Sequence, residues 1–151
     1  MKLISVSDDH IKELMSWFSS EQKLKKWSGP NFDYPFTAES FKRDLRMDSL
    51  NSFVLLDEKN QFVAFGQYYL RLNCCHLGRL VVSPSLRGKG IIAHLIKALV
   101  KSGKEKLGVG NCSLFVLADN KPAIVAYQKS GFSLTVYPEQ ITLDNCLYMT
   151  M

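Results

Sequence analysis

The chain has 151 residues, 46% of them hydrophobic and 22% charged, with a formal net charge of +5. That length suits one domain spanning 1–151 and burying about 70% of its unfolded surface. No apolar run reaches about 18 residues, which excludes a transmembrane helix, and no long basic run or zinc finger speaks for nucleic acid.

The opening MKLISVSDDHIKEL meets acids by Asp8, before a secretory apolar segment could form, so a cytoplasmic protein with no membrane partner is expected. Residues 2–6 (KLISV) form a first strand. Asp8 and Asp9 can cap a helix over about 9–20, with Ile11, Leu14, Met15 and Phe18 on one face. The next stretch, KKWSGPNFDYPF, is an aromatic loop punctuated by Gly29, Pro30 and Pro35. Its Trp27, Phe32, Tyr34 and Phe36 either wall an acceptor cavity or build a small satellite core. Thr37, with Ser40 nearby, starts a second helix carrying Phe41 and Leu45.

The hydrophobic period then changes. SFVLLD and QFVAFGQYYLRL, joined by the polar turn Asp57–Asn60, predict a hairpin, and a strand over about 74–83 continues the meander. A long helix, the strand CSLFVLA, a shorter helix from Lys121 and closing strands at about 132–137 and 142–150 follow. The expectation is an α/β fold: a mixed sheet of about seven strands flanked by about four helices. The closing strands, ending in NCLYMTM, could add to a partner's sheet and make a homodimer. Cys74, Cys75, Cys112 and Cys146 form no C-x-x-C pair, so neither a metal nor a redox site is expected. Lys101, Lys104 and Lys106 suit a solvated helix end, where positive charge complements the dipole.

The chemistry concentrates in RLVVSPSLRGKGIIAHLIKALVK, residues 79–101. The apolar run Leu80-Val81-Val82 gives way at Pro84 to Arg87-Gly88-Lys89-Gly90. Ile91, Ile92, Leu95, Ile96, Leu99 and Val100 then recur in adjacent pairs four apart, the stripe of a helix packed on a sheet. The first amides of such a helix lack internal acceptors and lie at the positive end of its dipole. Two glycines and two cations at that point predict an anion site, a diphosphate above all. The phosphate-loop pattern G-x-x-x-x-G-K-[ST] is absent. The dinucleotide fingerprint G-x-G-x-x-G/A fits as Gly88, Gly90 and Ala93, but Asp119 lies later than its acidic residue should.

RGKGII also resembles the R/Q-x-x-G-x-G/A motif of the GNAT superfamily of N-acetyltransferases. Downstream, ADNKPAIVAYQKSGF resembles that family's second signature, with Asn120, Ala123, Tyr127, Gly131 and Phe132 all matching. The order of segments matches over nearly the whole chain. Ile92 departs from the pattern, standing where the family prefers Gly or Ala.

The resemblance implies a GNAT-like, mostly antiparallel sheet and acetyl-coenzyme A as co-substrate, with no metal. It implies that amides of Gly88, Lys89, Gly90, Ile91, Ile92 and Ala93 hold the diphosphate beside Arg87. Leu80, Val81 and Val82 would form the splayed strand beside the pantetheine arm, with an amide near Val81 polarising the thioester. Asn120 and Tyr127 would lie on the cofactor, Tyr127 giving its proton to the departing thiolate. His76, six residues before Val82, matches an offset used for a general base; otherwise it is a strand histidine with no task. The acceptor would be a small-molecule or peptide amine, attacking directly. The competing expectation is a non-catalytic acyl-coenzyme A sensor.

Overall fold

The computed structural model describes residues 1–140 and 144–151. Strand β1 (Lys2–Ser5) leads into three helices, α1 (Asp8–Ser16), α2 (Glu21–Ser28) and α3 (Ala38–Asp44). Ser7, Ser20 and Thr37 cap them, each side-chain oxygen accepting from the amide three residues on. Strands β2 (Asn51–Leu56), β3 (Phe62–Arg71) and β4 (Cys74–Val82) form the meander, and a 3-10 turn at Pro84–Leu86 precedes α4 (Ile91–Leu107). The chain closes with β5 (Cys112–Leu117), α5 (Lys121–Lys129), β6 (Ser133–Thr135) and β7 (Cys146–Thr150).

The first predicted helix is shorter than expected, and an unexpected helix follows it. The first stops at Ser16, and α2 occupies ground expected to be loop. Only Leu24 of α2 is buried, so the segment carries no apolar stripe. It is held by the Ser20 cap and a Glu21–Lys25 pair one turn apart at 2.7 Å. The described α-helices thus number five. At the far end β6 is shorter than predicted, and part of the expected strand 142–150 lies outside the described residues.

The seven strands lie in the order β1-β2-β3-β4-β5-β7-β6. All neighbours are antiparallel except β4 and β5. On one face Cys75, Leu77 and Leu114 pack with Leu95, Ile96 and Leu99 of α4 and Ile124 and Tyr127 of α5. On the other, Val54, Phe65 and Val81 pack with Ile11, Leu14, Leu24 and Phe41. Phe32 is buried there, with Trp27 and Phe36 against it, while Tyr34 is exposed. The aromatic loop is therefore chiefly a satellite core. No described helix is long and apolar enough to cross a membrane.

Two glycines let α4 lie close on the sheet. A Cβ at Gly66 would stand 2.6 Å from Leu99 Cδ1, and one at Gly103 would run into Cys75 Sγ. Gly103→Ala gains about 1 kcal/mol of helix propensity but overpacks a filled site, at about 1–3 kcal/mol. A lower Tm in thermal denaturation is expected, partly restored by Cys75→Ala in the same chain. A Tm above that of the native chain would mean that the helix shifts without penalty.

Candidate functional site

Strands β4 and β5 pair only over Cys75–Leu77 and Cys112–Leu114. Beyond those rungs β4 continues to Val82 and β5 to Leu117 without a partner in each other, leaving a wedge-shaped opening. The cause lies in β4. Gln67 pairs with Gly78 and Phe65 with Val81, so Arg79 and Leu80 together oppose Gly66. This bulge has Arg79 at φ +50°. Bulges bend the strand that carries them and increase its twist, which turns the end of β4 away from β5.

Past the opening, Gly88 and Gly90 take φ of +78° and +77°. An L-residue in that region costs about 1–2 kcal/mol. A Cβ at either position would meet no protein atom within 4 Å, so the requirement is conformational and the space beside the backbone is open. Gly90 is the N-cap of α4 and no side chain caps the helix. Its end therefore presents amides, with Arg87 and Lys89 exposed beside them. Ile92 packs against the core while Ala93 is exposed, so the bulky residue of the motif is turned from the open side. Leu80 and Val82 pack against the α4 core and Val81 belongs to the opposite one. The side chains of this segment are structural, which leaves its backbone for any other work.

Across the opening, Asn120 caps α5 by accepting from the Ala123 amide at 3.4 Å. Tyr127, two turns on, is buried on the α4 side of the sheet, its ring 6.5 Å from Phe132. Burial pushes its hydroxyl up to about 12, so it stays protonated far above neutrality.

His76 lies below the opening, where β4 still pairs with Ser113 of β5. It is 2% exposed and faces away from Tyr127. Its Nδ1 lies 2.8 Å from Ser113 Oγ, and its ring is flanked by Tyr69 and Phe115. Burial, helped by the charge of Arg71, brings it down to about 3. It is thus neutral at pH 7 and a weak proton acceptor. Between pH 6.5 and 3 the unfolded chain takes up a proton here that the folded chain refuses. The stability due to His76 is therefore complete above its ordinary value and lost as pH falls towards 3. Over that window the Tm of the native chain should fall more steeply than that of His76→Gln. Parallel curves would contradict the burial argument.

Beyond His76, away from the opening, Arg71 Nε donates to Tyr137 Oη at 3.0 Å, and its guanidinium lies 4.8 Å from the Phe115 ring centre. Two grooves flank the opening. One, of about 470 Å³, is lined by Glu21, Gln22, Lys25 and Lys26 of α2 with Leu117. The other, of about 410 Å³, runs between α4 and α5 from Ala93 past Lys97, Lys101 and Lys129. Residues 80–82 form the unpaired end of β4, residues 87–93 follow it into α4, Asn120 follows β5, and Tyr127 is buried on the α4 side, while His76 lies below the opening. Sequence reasoning passed over Arg79 and the α2 lysines. A glycine inside a strand, Gly78, is the local signal of a bulge that could have drawn attention to Arg79.

Comparison with known proteins agrees with this fold. The profile of the Acetyltransferase (GNAT) family matches residues 12–132. Acetyltransferase PseH of Campylobacter jejuni is 29% identical over 100 residues, covering 66% of this chain and 60% of that protein's length. A spermidine N-acetyltransferase from Vibrio cholerae, solved with CoA and spermine, superposes with a TM-score of 0.77 at 13% identity, covering 99% of this chain and 94% of the other. A ribosomal-protein-alanine N-acetyltransferase from Brucella melitensis gives 0.71 at 17% identity, covering 100% and 99%. At these identities the two structures speak for the fold alone.

Proposed function

The chain belongs to the GNAT acetyltransferase family, and on that premise we propose that it transfers an acetyl group from acetyl-coenzyme A to a primary amine by direct attack. The observation that carries this reading is the uncapped end of α4 beside the β4–β5 opening. The residues present fit the coenzyme. Two positive-φ glycines leave room for close approach, amides converge at a helix N-terminus, and Arg87 and Lys89 supply counter-charge. When bound, the coenzyme supplies an acetyl group activated as a thioester.

Gly88 to Ala93 hold the diphosphate through their amides. Leu80 to Val82 offer an unpaired strand edge to the pantetheine arm, and an amide near Val81 faces the thioester oxygen. A preorganised donor of that kind lowers the barrier by about 3 kcal/mol. Asn120 keeps the start of α5 in place, and Tyr127 holds the proton that the departing sulfur needs. The amine arrives from the α1–α3 face, whereas the departing sulfur meets its proton donor, Tyr127, on the α4 side of the sheet.

An alkylamine must lose a proton before it attacks. His76, neutral and shielded by Tyr69 and Phe115, is poorly placed to take one from a solvated ammonium. We assign that proton to water and to His76 a packing role between Tyr69, Phe115 and Ser113. An alkaline-going rise in kcat/KM that persists in His76→Ala supports this; loss of that limb restores His76 as the base. Coenzyme release from acetyl-coenzyme A across an amine panel, alongside the melting shift it causes, tests the activity. Amine-dependent turnover is expected, whereas a shift without turnover would identify a sensor.

A further inference from the structure

Arg79 is a charged group with no part in the transfer scheme. Leu77 and Leu80 both face α4, and with regular alternation Arg79 would share their side. The bulge instead sends it, with Gly78, to the α1–α3 face. There its Nη1 donates to Gln67 Oε1 at 2.9 Å, and its guanidinium lies 5.3 Å from the Phe32 ring centre. Gln67 is itself fixed, its Nε2 donating to the Leu45 carbonyl and to Ser52 Oγ, both at 2.8 Å.

What surrounds this arginine is short of acceptors. Among the described residues its buried Nε has none. No carboxylate lies within ion-pair distance of it or of Arg71. Asp44 is close enough to feel the charge of Arg79, but beyond ion-pair distance, and it is engaged by Arg43 and by the Asp33 amide. Trp27, whose ring meets the same Phe32, carries a second buried donor without an acceptor, Nε1. A guanidinium stays charged wherever it is placed, and removing a charge from water without a counter-charge costs several kcal/mol. The groove along α2 adds Lys25 and Lys26, and its Glu21 is already paired with Lys25. With Lys25 paired to Glu21, what this side leaves without an acceptor among the described residues is the Arg79 Nε and the Trp27 Nε1, with Lys26 nearby on α2.

We propose that Arg79 is a specificity residue that binds an oxyanion, carboxylate or phosphate, carried by the same molecule as the attacking amine. The acceptors are then acid-bearing amines, and polyamines are disfavoured. Arg79 stands two residues before Val81 and, like Val81, on the α1–α3 face, which suits an amine and an anion a few bonds apart. This rests on the reading of the opening as the transfer site, and the test separates the two.

With coenzyme A saturating, the Arg79 Nε–H and Trp27 Nε1–H resonances are followed by NMR during addition of inorganic phosphate, γ-aminobutyrate, butylamine or spermidine. Saturable shifts with phosphate or γ-aminobutyrate, and none with the last two, are expected. Comparing those two shows which oxyanion is preferred. Unmoved resonances, or shifts driven by spermidine, would overturn the proposal. In turnover, γ-aminobutyrate should exceed butylamine, and 3-aminopropyl phosphate should exceed propylamine, in kcat/KM by about tenfold or more, the worth of one charged hydrogen bond. Arg79→Gln should bring both ratios near one, Arg79→Lys should restore part of them, and Lys25→Glu with Lys26→Glu, on an exposed helix, should lower them. Unchanged ratios in all three would sink the idea. Calorimetric uptake of coenzyme A should be the same in every variant; its absence from the native chain would instead count against the transfer site itself.

Discussion

Replacing Tyr127 by phenylalanine should lower kcat by about 100-fold or more while coenzyme A binding changes by less than about twofold. The substitution keeps the ring that packs between α5 and the sheet and removes only the hydroxyl, so the fold should be unaffected. Tyrosine suits this task because burial holds its proton to about pH 12, beyond its ordinary value of 10.0. An acid works only while protonated, so its loss limits the rate above that range and not near pH 10. A kcat unchanged in Tyr127→Phe would leave the leaving thiolate to be protonated by water and would reduce Tyr127 to a core residue.

Gly90→Val is the second large effect. At φ +77° a β-branched residue is strained by more than the 1–2 kcal/mol of an ordinary side chain. Relief of that strain moves the very amides that begin α4. Hydrogen bonds to a charged group contribute about 1.5–3 kcal/mol each, so misplacing two of them should weaken acetyl-coenzyme A by about 100-fold or more. Gly108 provides the control. It ends the same helix at φ +66°, and a Cβ there also meets nothing within 4 Å. Gly108→Val should cost similar stability and leave coenzyme affinity intact. Equal losses of affinity in the two variants would mean that the joint acts through general stability alone.

The parts of this molecule that could be read from residues alone are those with a local physical signature. The paired apolar stripe after Gly90 announces α4, and the glycines before it announce the turn that leaves its first amides without a side-chain cap. Asn120, Ala123 and Tyr127 share a helix face by spacing. What stayed hidden depends on neighbours far along the chain. Helix α2 buries little beyond Leu24, so no periodicity betrays it. The turn of Arg79 onto the α1–α3 face follows from its register against Gly66, which composition does not encode. His76 looks like a titrating strand histidine until Tyr69, Phe115 and Ser113 close around it. Ile92, bulky where a small residue is usual, is accommodated because it packs into the core and leaves exposed Ala93 on the open side.

Backbone amide shifts measured while coenzyme A is added to the labelled native chain reach the central claim most directly. The largest saturable changes should fall on Gly88, Lys89, Gly90, Ile91, Ile92 and Ala93, with a second group at Leu80 to Val82. Changes centred elsewhere, or none at millimolar coenzyme, would contradict the placement of the diphosphate at the start of α4.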